Sequence, residues 1–305
     1  MLYAVYCDPG PGDILRFFHG LSELVSEKQE NVTLFSLKQG NWKSHSLLEH
    51  MKPLNEVHRV TEYIADDLSE LNVLMKDKAR GPVYYCFETD FFETEKKVLL
   101  NCITSGIPEE FILLDRYNNQ HYIRNRITDH LIMDGKSNMA YSTALLFVRI
   151  SNIVPERNMT KELFKEVLCL CWQNGYMVKI AGSFLPLEYE ELLNSFWDAS
   201  VLYSDHRYPD YYQQICDYSQ YSFAVGMNSG GLDLAAAAGI PLLRIGEFHH
   251  LLSYGSIHYN DFLAGARTVN ILSAGEKDIS NITLDLVTRG FDELLLSKKE
   301  EIINV

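Results

Sequence analysis

Leu2 to Asp8 is a short apolar run ended by Pro-Gly-Pro-Gly, which predicts a strand closed by a tight turn. From Asp13, the residues Ile14, Leu15, Phe17, Phe18, Leu21, Leu24 and Val25 recur at helical spacing. Asn31 to Leu37 reads as a second strand, and the less regular stretch from Gln39 to Arg80 predicts a helix near Glu56 to Leu71. Pro82 to Glu88 reads as a buried strand, Phe92 to Thr104 as a helix ended by Gly106, and Glu110 to Asp115 as a further strand. Residues 116–140 break this rhythm, being polar, rich in Asn and without a long apolar face.

The alternation then restarts. Thr143 to Ile150 predicts a strand, followed by a helix with Thr160 as N-cap and Gly175 just past its end. Strand and helix alternate again through Tyr176 to Gly182, Leu187 to Trp197, Ser200 to Ser204, Asp210 to Ser219, Tyr221 to Asn228, Gly230 to Gly239 and Ile240 to Gly246. The tail from Asn281 to about Lys299 reads as a closing amphipathic helix. Two successive runs of this kind predict an α/β protein of two Rossmann-like domains with mainly parallel sheets. The break near Gly135 divides the chain into 1–138 and 139–305. Ligands of such folds lie outside the carboxyl ends of the strands, and a cleft between the domains is the expected site.

Composition narrows the function classes. The chain has 305 residues, enough for two cores, and its 47% hydrophobic content is that of a folded protein. With 27 Lys+Arg against 41 Asp+Glu, the net charge is −14. That is a poor surface for nucleic acid or anionic membrane, though a local cationic pocket for one small anion is compatible with it. Six Cys do not make a disulfide scaffold, and Cys86, Cys102, Cys169 and Cys171 fall in apolar runs, as buried thiols do. No run of 18 apolar residues and no basic leader occurs, so a cytoplasmic protein without a spanning helix is expected. There is no Asp-x-Asp triplet, no His-Glu-x-x-His and no Cys-x-x-Cys, so no metal or other cofactor is expected.

Three segments carry candidate chemistry. In Gly226 to Glu247 an apolar strand runs into Asn228, Ser229, Gly230 and Gly231, which open an Ala-rich helix. The glycines allow close backbone approach, and the helix N-terminus offers free N–H groups and positive potential, a setting suited to a diphosphate. An ordinary Ser N-cap before a tightly packed helix fits equally well. In Leu145 to Phe164 a strand leads through a polar loop to a helix, with Arg149 at the strand end and Arg157 in the loop. Guanidinium groups bind phosphate oxygens in bidentate fashion, but Arg157 can also simply pair with Glu156 or Glu162. In Cys7 to Leu15 the turn carries Asp8, Gly10, Gly12 and Asp13, and matches neither a Walker A loop nor a dinucleotide fingerprint. Asp13 suits a general base or a helix cap.

These segments together resemble the GT-B glycosyltransferases, most closely the ADP-heptose:lipopolysaccharide heptosyltransferase-like family. The resemblance covers about residues 143 to 275 and, in the first domain, the first 25 residues. It implies two Rossmann-like domains facing a cleft, with the nucleotide-sugar donor on the C-terminal domain and a glycan or glycolipid acceptor on the N-terminal one. It makes Asp13 the general base and Asp8, Gly10 and Gly12 part of an acceptor-side loop. Donor contacts would come from Arg149, Arg157, Asn228, Ser229, Gly230, Gly231, Asp233 and Glu247. Asn228 stands where the family has Asp, and Asp233 where it usually has His. Peripheral membrane contact is compatible with such an acceptor. His249, His250 and the tyrosines Tyr203, Tyr208, Tyr211 and Tyr212 are further candidates for contact with a base or sugar. The alternatives are a non-catalytic sugar-nucleotide-binding or scaffold protein of polysaccharide assembly, and a polysaccharide-modifying transferase or nucleotide-sugar epimerase on the same fold.

Overall fold

The computed structural model describes residues 1–6, 11–38, 46–51, 54, 59–85, 111–113, 143–150, 155, 158–181, 187–195, 201–203, 210–247, 268–273 and 282–303. The chain divides into two compact units, Met1–Asp134 with Pro209–Gln214, and Gly135–Tyr208 with Ile215–Val305.

In the first unit β1 (Leu2–Tyr6), β2 (Val32–Leu37), β3 (Val60–Ala65), β4 (Val83–Tyr85) and β5 (Phe111–Leu113) form one sheet in the order β3-β2-β1-β4-β5, every pair parallel. Helix α1 (Pro11–Lys28) follows β1 and starts on a proline, whose fixed φ suits the first helical position. Its Phe17 and Phe18 pack with Tyr6 of β1 in a triangle of rings 5.3–5.7 Å apart. Helix α2 (Leu68–Lys78) buries Leu71 and Met75 against Val5, Phe35 and Val83 on the opposite face.

A helix across Glu56 to Leu71 is not what forms. Val60 to Ala65 is a strand, and the helix begins only after Asp67, whose carboxylate accepts from the Glu70 amide at 2.9 Å. β3 pairs with β2 alone and is half-exposed over most of its length, so its sequence lacks the solid apolar run of a central strand. Its Glu62 is tied across to Ser36, whose hydroxyl donates at 2.9 Å. The helix expected at Phe92 to Thr104 and the break at 116–140 lie outside the described residues.

The second unit holds β6 (Thr143–Phe147), β7 (Met177–Ala181), β8 (Val201–Tyr203), β9 (Ala224–Met227), β10 (Leu242–Glu247) and β11 (Thr268–Ser273), in the order β11-β10-β9-β6-β7-β8, again all parallel. Its helices are α3 (Lys161–Gln173), α4 (Leu187–Ser195), α5 (Tyr211–Tyr218, whose last residues belong to this unit), α6 (Gly230–Ala237) and α7 (Leu284–Ile303). Thr160 caps α3, its hydroxyl accepting from the Leu163 amide at 3.2 Å, and Gly175 follows the helix at φ +80, a left-handed conformation favoured by glycine. One face of the sheet packs under α3 and α7 through Leu146, Val225, Ile245, Val167 and Phe291. Cys171 of α3 lies in this core and burial pushes its thiol up to about 12, an inert buried thiol; Cys86 and Cys102 lie outside the described residues. β11 is a strand that apolar patterning did not reveal, an edge strand paired only with β10.

Both sheets thus share the doubly wound order in which the first strand lies beside the fourth. The direction of chain travel reverses between β1 and β4 in one unit, and between β6 and β9 in the other. At such points the two adjoining loops part and leave a crevice at the carboxyl ends of the strands.

Candidate functional site

The second unit's switch point collects two of the three segments singled out in the sequence. β6 and β9 are paired directly, Phe147 standing opposite Gly226. β6 therefore delivers Arg149, two residues past its end, to the same sheet end as the turn Asn228-Ser229-Gly230-Gly231.

Local packing explains why α6 begins where it does. Phe147, Gly226 and Arg244 form one row across β6, β9 and β10. A Cβ on Gly226 would come within 2.5 Å of Phe147 Cβ and 2.6 Å of its carbonyl oxygen, so this position in the row stays empty of side chain. Phe147 meets Tyr218 edge-on, with ring centroids 5.3 Å apart. A Cβ on Gly231 would lie 3.1 Å from the same Phe147 ring, which places the first turn of α6 directly over it. Ala235 to Ala238 are buried, and their small side chains permit close packing.

The turn itself keeps backbone donors at the helix start. Ser229 is the N-cap residue in extended conformation, but its hydroxyl makes no capping hydrogen bond. Asp233 N–H donates to the Ser229 carbonyl at 3.2 Å, so the amides of Gly230, Gly231 and Leu232 precede the first i→i−4 bond of the helix. Ser229, Gly230 and Gly231 are all partly exposed.

Asn228 and Asp233 behave differently from their neighbours. Both are buried, and both are held by Arg244 of β10. Arg244 Nη1 donates to Asn228 Oδ1 at 2.6 Å, and Nη2 to Asp233 Oδ1 at 2.9 Å. The guanidinium side chain is fully buried, at 0% exposure, and the Asp233 side chain is 8% exposed. Sequence reading missed Arg244. Its signal is a cation inside the apolar run Ile-Pro-Leu-Leu-Arg-Ile, which a core admits only with a partner.

Across the switch point, Arg149 lies just beyond the end of β6, half-buried, and donates to Asn158 Oδ1 at 3.2 Å. The Arg149 carbonyl accepts from the Met159 amide at 3.1 Å, closing the loop on itself. Arg149 is thereby brought beside Asn158, the residue after Arg157. Arg157, His249 and His250 lie outside the described residues, as do the side chains of Glu247, the last residue of β10, and of Tyr203 in β8.

In the first unit Asp13 is the third residue of α1, in its first turn, and Gly12 is buried beside it. Asp8 and Gly10 lie outside the described residues. Tyr212 stacks on His50, ring centroids 3.4 Å apart, so one of its faces is already taken; Tyr211 is half-buried, and Tyr208 lies outside the described residues.

No family model matches the chain, and no curated protein matches it in sequence. Solved structures do match over nearly the whole length. ADP-heptose lps heptosyltransferase II of E. coli aligns with a TM-score of 0.63 and 15% identity, covering 98% of this chain and 100% of that one. A glycosyl transferase family 9 protein of Veillonella parvula aligns with a TM-score of 0.63 and 14% identity, covering 97% of each chain. The E. coli heptosyltransferase WaaC, solved with ADP, aligns with a TM-score of 0.59 and 10% identity, covering 96% of this chain and 100% of that one. At such identities the likeness establishes the fold, the two-unit GT-B arrangement of parallel sheets. Among the described residues no helix is long and apolar enough to cross a membrane.

Proposed function

We propose that this protein is a glycosyltransferase that moves a sugar from a nucleotide-diphosphate donor to a glycan or glycolipid acceptor without a metal. The observation that carries the reading is the second unit's switch point, where the Arg149 loop and the uncapped Ser229-Gly230-Gly231 turn end on adjacent, directly paired strands. The fold is shared with heptosyltransferases, one of them solved with ADP, and this supports a nucleotide-sugar donor.

The donor diphosphate accepts hydrogen bonds from the first amides of α6 and from Ser229, with Arg157 and Arg149 as cations. Glu247 stands at the end of β10 for the nucleoside part. Asp13 takes the proton of the acceptor hydroxyl as its oxygen bonds to the anomeric carbon. The bond from that carbon to the diphosphate oxygen breaks, and the nucleoside diphosphate leaves with the electron pair. Amides, cations and helix dipole stabilise the charge developing on it. The absence of an Asp-x-Asp metal anchor from the sequence favours this metal-free form.

A second reading, a non-catalytic sugar-nucleotide binder, is favoured by one observation. Asn228 and Asp233, both departures from the heptosyltransferase pattern, are committed to Arg244. Incubation with a panel of nucleotide sugars separates the two. A transferase releases nucleoside diphosphate in step with sugar appearing on acceptor or water, whereas a binder takes up nucleotide without turnover. The absence of both uptake and turnover would refute the donor site itself.

A further inference from the structure

Arg244 is not among the candidate site residues or the donor contacts above, yet its guanidinium holds the residues on both sides of the Ser229-Gly230-Gly231 turn. Asn228 precedes the Ser229-Gly230-Gly231 turn and Asp233 follows it, and one buried side chain bonds both, at 2.6 and 2.9 Å. The carboxylate of Asp233 lies in the first turn of α6, with its side chain 8% exposed. Left alone there, it would set a negative charge beside the amides meant for an anion, in a medium that screens poorly. The same charge would also oppose the ligand directly, whatever the helix dipole contributes.

We propose that Arg244 is a positioning residue for the donor diphosphate. It cancels the charge of Asp233 and clamps the two flanks of the turn, so that the N-terminus of α6 can act on an anion. The inference rests on the diphosphate reading above and adds to it a residue that does not touch the ligand. A buried ion pair present only for stability makes a different prediction. Then either single substitution harms the turn, and binding of nucleoside and nucleoside diphosphate falls together.

The test is calorimetric titration of the full chain with UDP, GDP and ADP, each beside its nucleoside, in wild type and three variants. Asp233→Asn removes the negative charge and leaves Arg244 in place. Nucleoside diphosphate binding should then tighten at least about fivefold, with nucleoside binding unchanged. Arg244→Gln leaves the carboxylate unopposed and should weaken nucleoside diphosphate binding at least about tenfold. The double variant Asp233→Asn/Arg244→Gln restores neutrality and should return to within about threefold of wild type. Should Arg244→Gln fail to fold, the double variant against Asp233→Asn still isolates one positive charge, and the single variant should bind the more tightly. Equal weakening by Asp233→Asn and Arg244→Gln, or weaker binding in Asp233→Asn than in the double variant, would overturn the proposal. If wild type binds none of the nucleoside diphosphates, the donor reading fails instead, independently of how the variants rank.

Discussion

Helix α1 of the first unit follows the first strand of its sheet and helix α6 of the second follows the fourth, the two strand positions that meet at the switch point of this order. α1 is 18 residues long and buries Ile14, Leu15, Phe17, Phe18, Leu21, Leu24 and Val25. α6 is 8 residues long and buries Leu232, Leu234 and a run of alanines. Bulky side chains hold a helix away from its sheet, whereas alanines and glycines let it approach. The two first turns differ in the same sense. α1 opens on proline and has Asp13 as its third residue. α6 opens on two glycines after an uncapped serine, and its one first-turn carboxylate is paired with Arg244. One topology thus brings an acidic residue to a helix start in one unit and a glycine turn to a helix start in the other.

The largest expected effect tests the first half of that contrast. Asp13→Asn keeps most of the capacity of the side chain to accept hydrogen bonds and removes its basicity. Glycosyl transfer should fall at least about a hundredfold, with melting and donor affinity near those of wild type. Transfer at the wild-type rate would leave Asp13 a helix-terminal residue and turn attention to Asp8.

An effect of comparable size belongs to the close packing of the second unit. Gly226→Ala drives a methyl into Phe147, 2.5 Å from its Cβ and 2.6 Å from its carbonyl oxygen. Part of what it strikes is backbone, so relaxation is limited, and denaturant unfolding should register a loss of about 3 kcal/mol. A neutral substitution would mean that β9 and β6 are not held as closely as described.

Arg157→Ala sharpens the contrast from the ligand side. Loss of a hydrogen bond to a charged group should cost about 1.5–3 kcal/mol of nucleoside diphosphate affinity and leave nucleoside affinity alone. Equal losses for both ligands would remove Arg157 from the phosphate site. The smallest effect is structural: Thr160→Ala removes the cap of α3, and thermal or denaturant unfolding should show about 1 kcal/mol of lost stability with donor binding unchanged.

Much of the fold was legible in the sequence because central parallel strands are solid apolar runs and their helices carry caps. β6 and α3 are the clearest case, with Thr160 and Gly175 marking the helix ends as expected. Reading failed at two edge strands, β3 and β11, although the edge strands β5 and β8 were expected where they form. Neither β3 nor β11 is covered on both sides by strands, and Val60 to Ala65 carries Thr61 and Glu62, so its pattern mimics an amphipathic helix. Of the candidate site, the Ser229-Gly230-Gly231 turn was visible as a local motif. Its support was not: Arg244 is 11 residues beyond Asp233, on the next strand, and only the packing of α6 against β9 and β10 makes them neighbours. Local sequence marks a glycine turn, whereas the charge that neutralises its surroundings is a tertiary fact.

The central claim is that the second unit's switch point holds a nucleoside diphosphate on the α6 turn. Thermal unfolding of the full chain with UDP, GDP, ADP and CMP, in wild type and in Gly230→Val, tests it most directly. A ligand at about 100 times its dissociation constant stabilises the native state by about 2.7 kcal/mol. At least one nucleoside diphosphate should raise the wild-type melting temperature, while the unliganded variant melts near wild type and gains nothing from that ligand. A melting temperature unmoved by any of the four, or a ligand-induced rise that survives in Gly230→Val, would contradict the account.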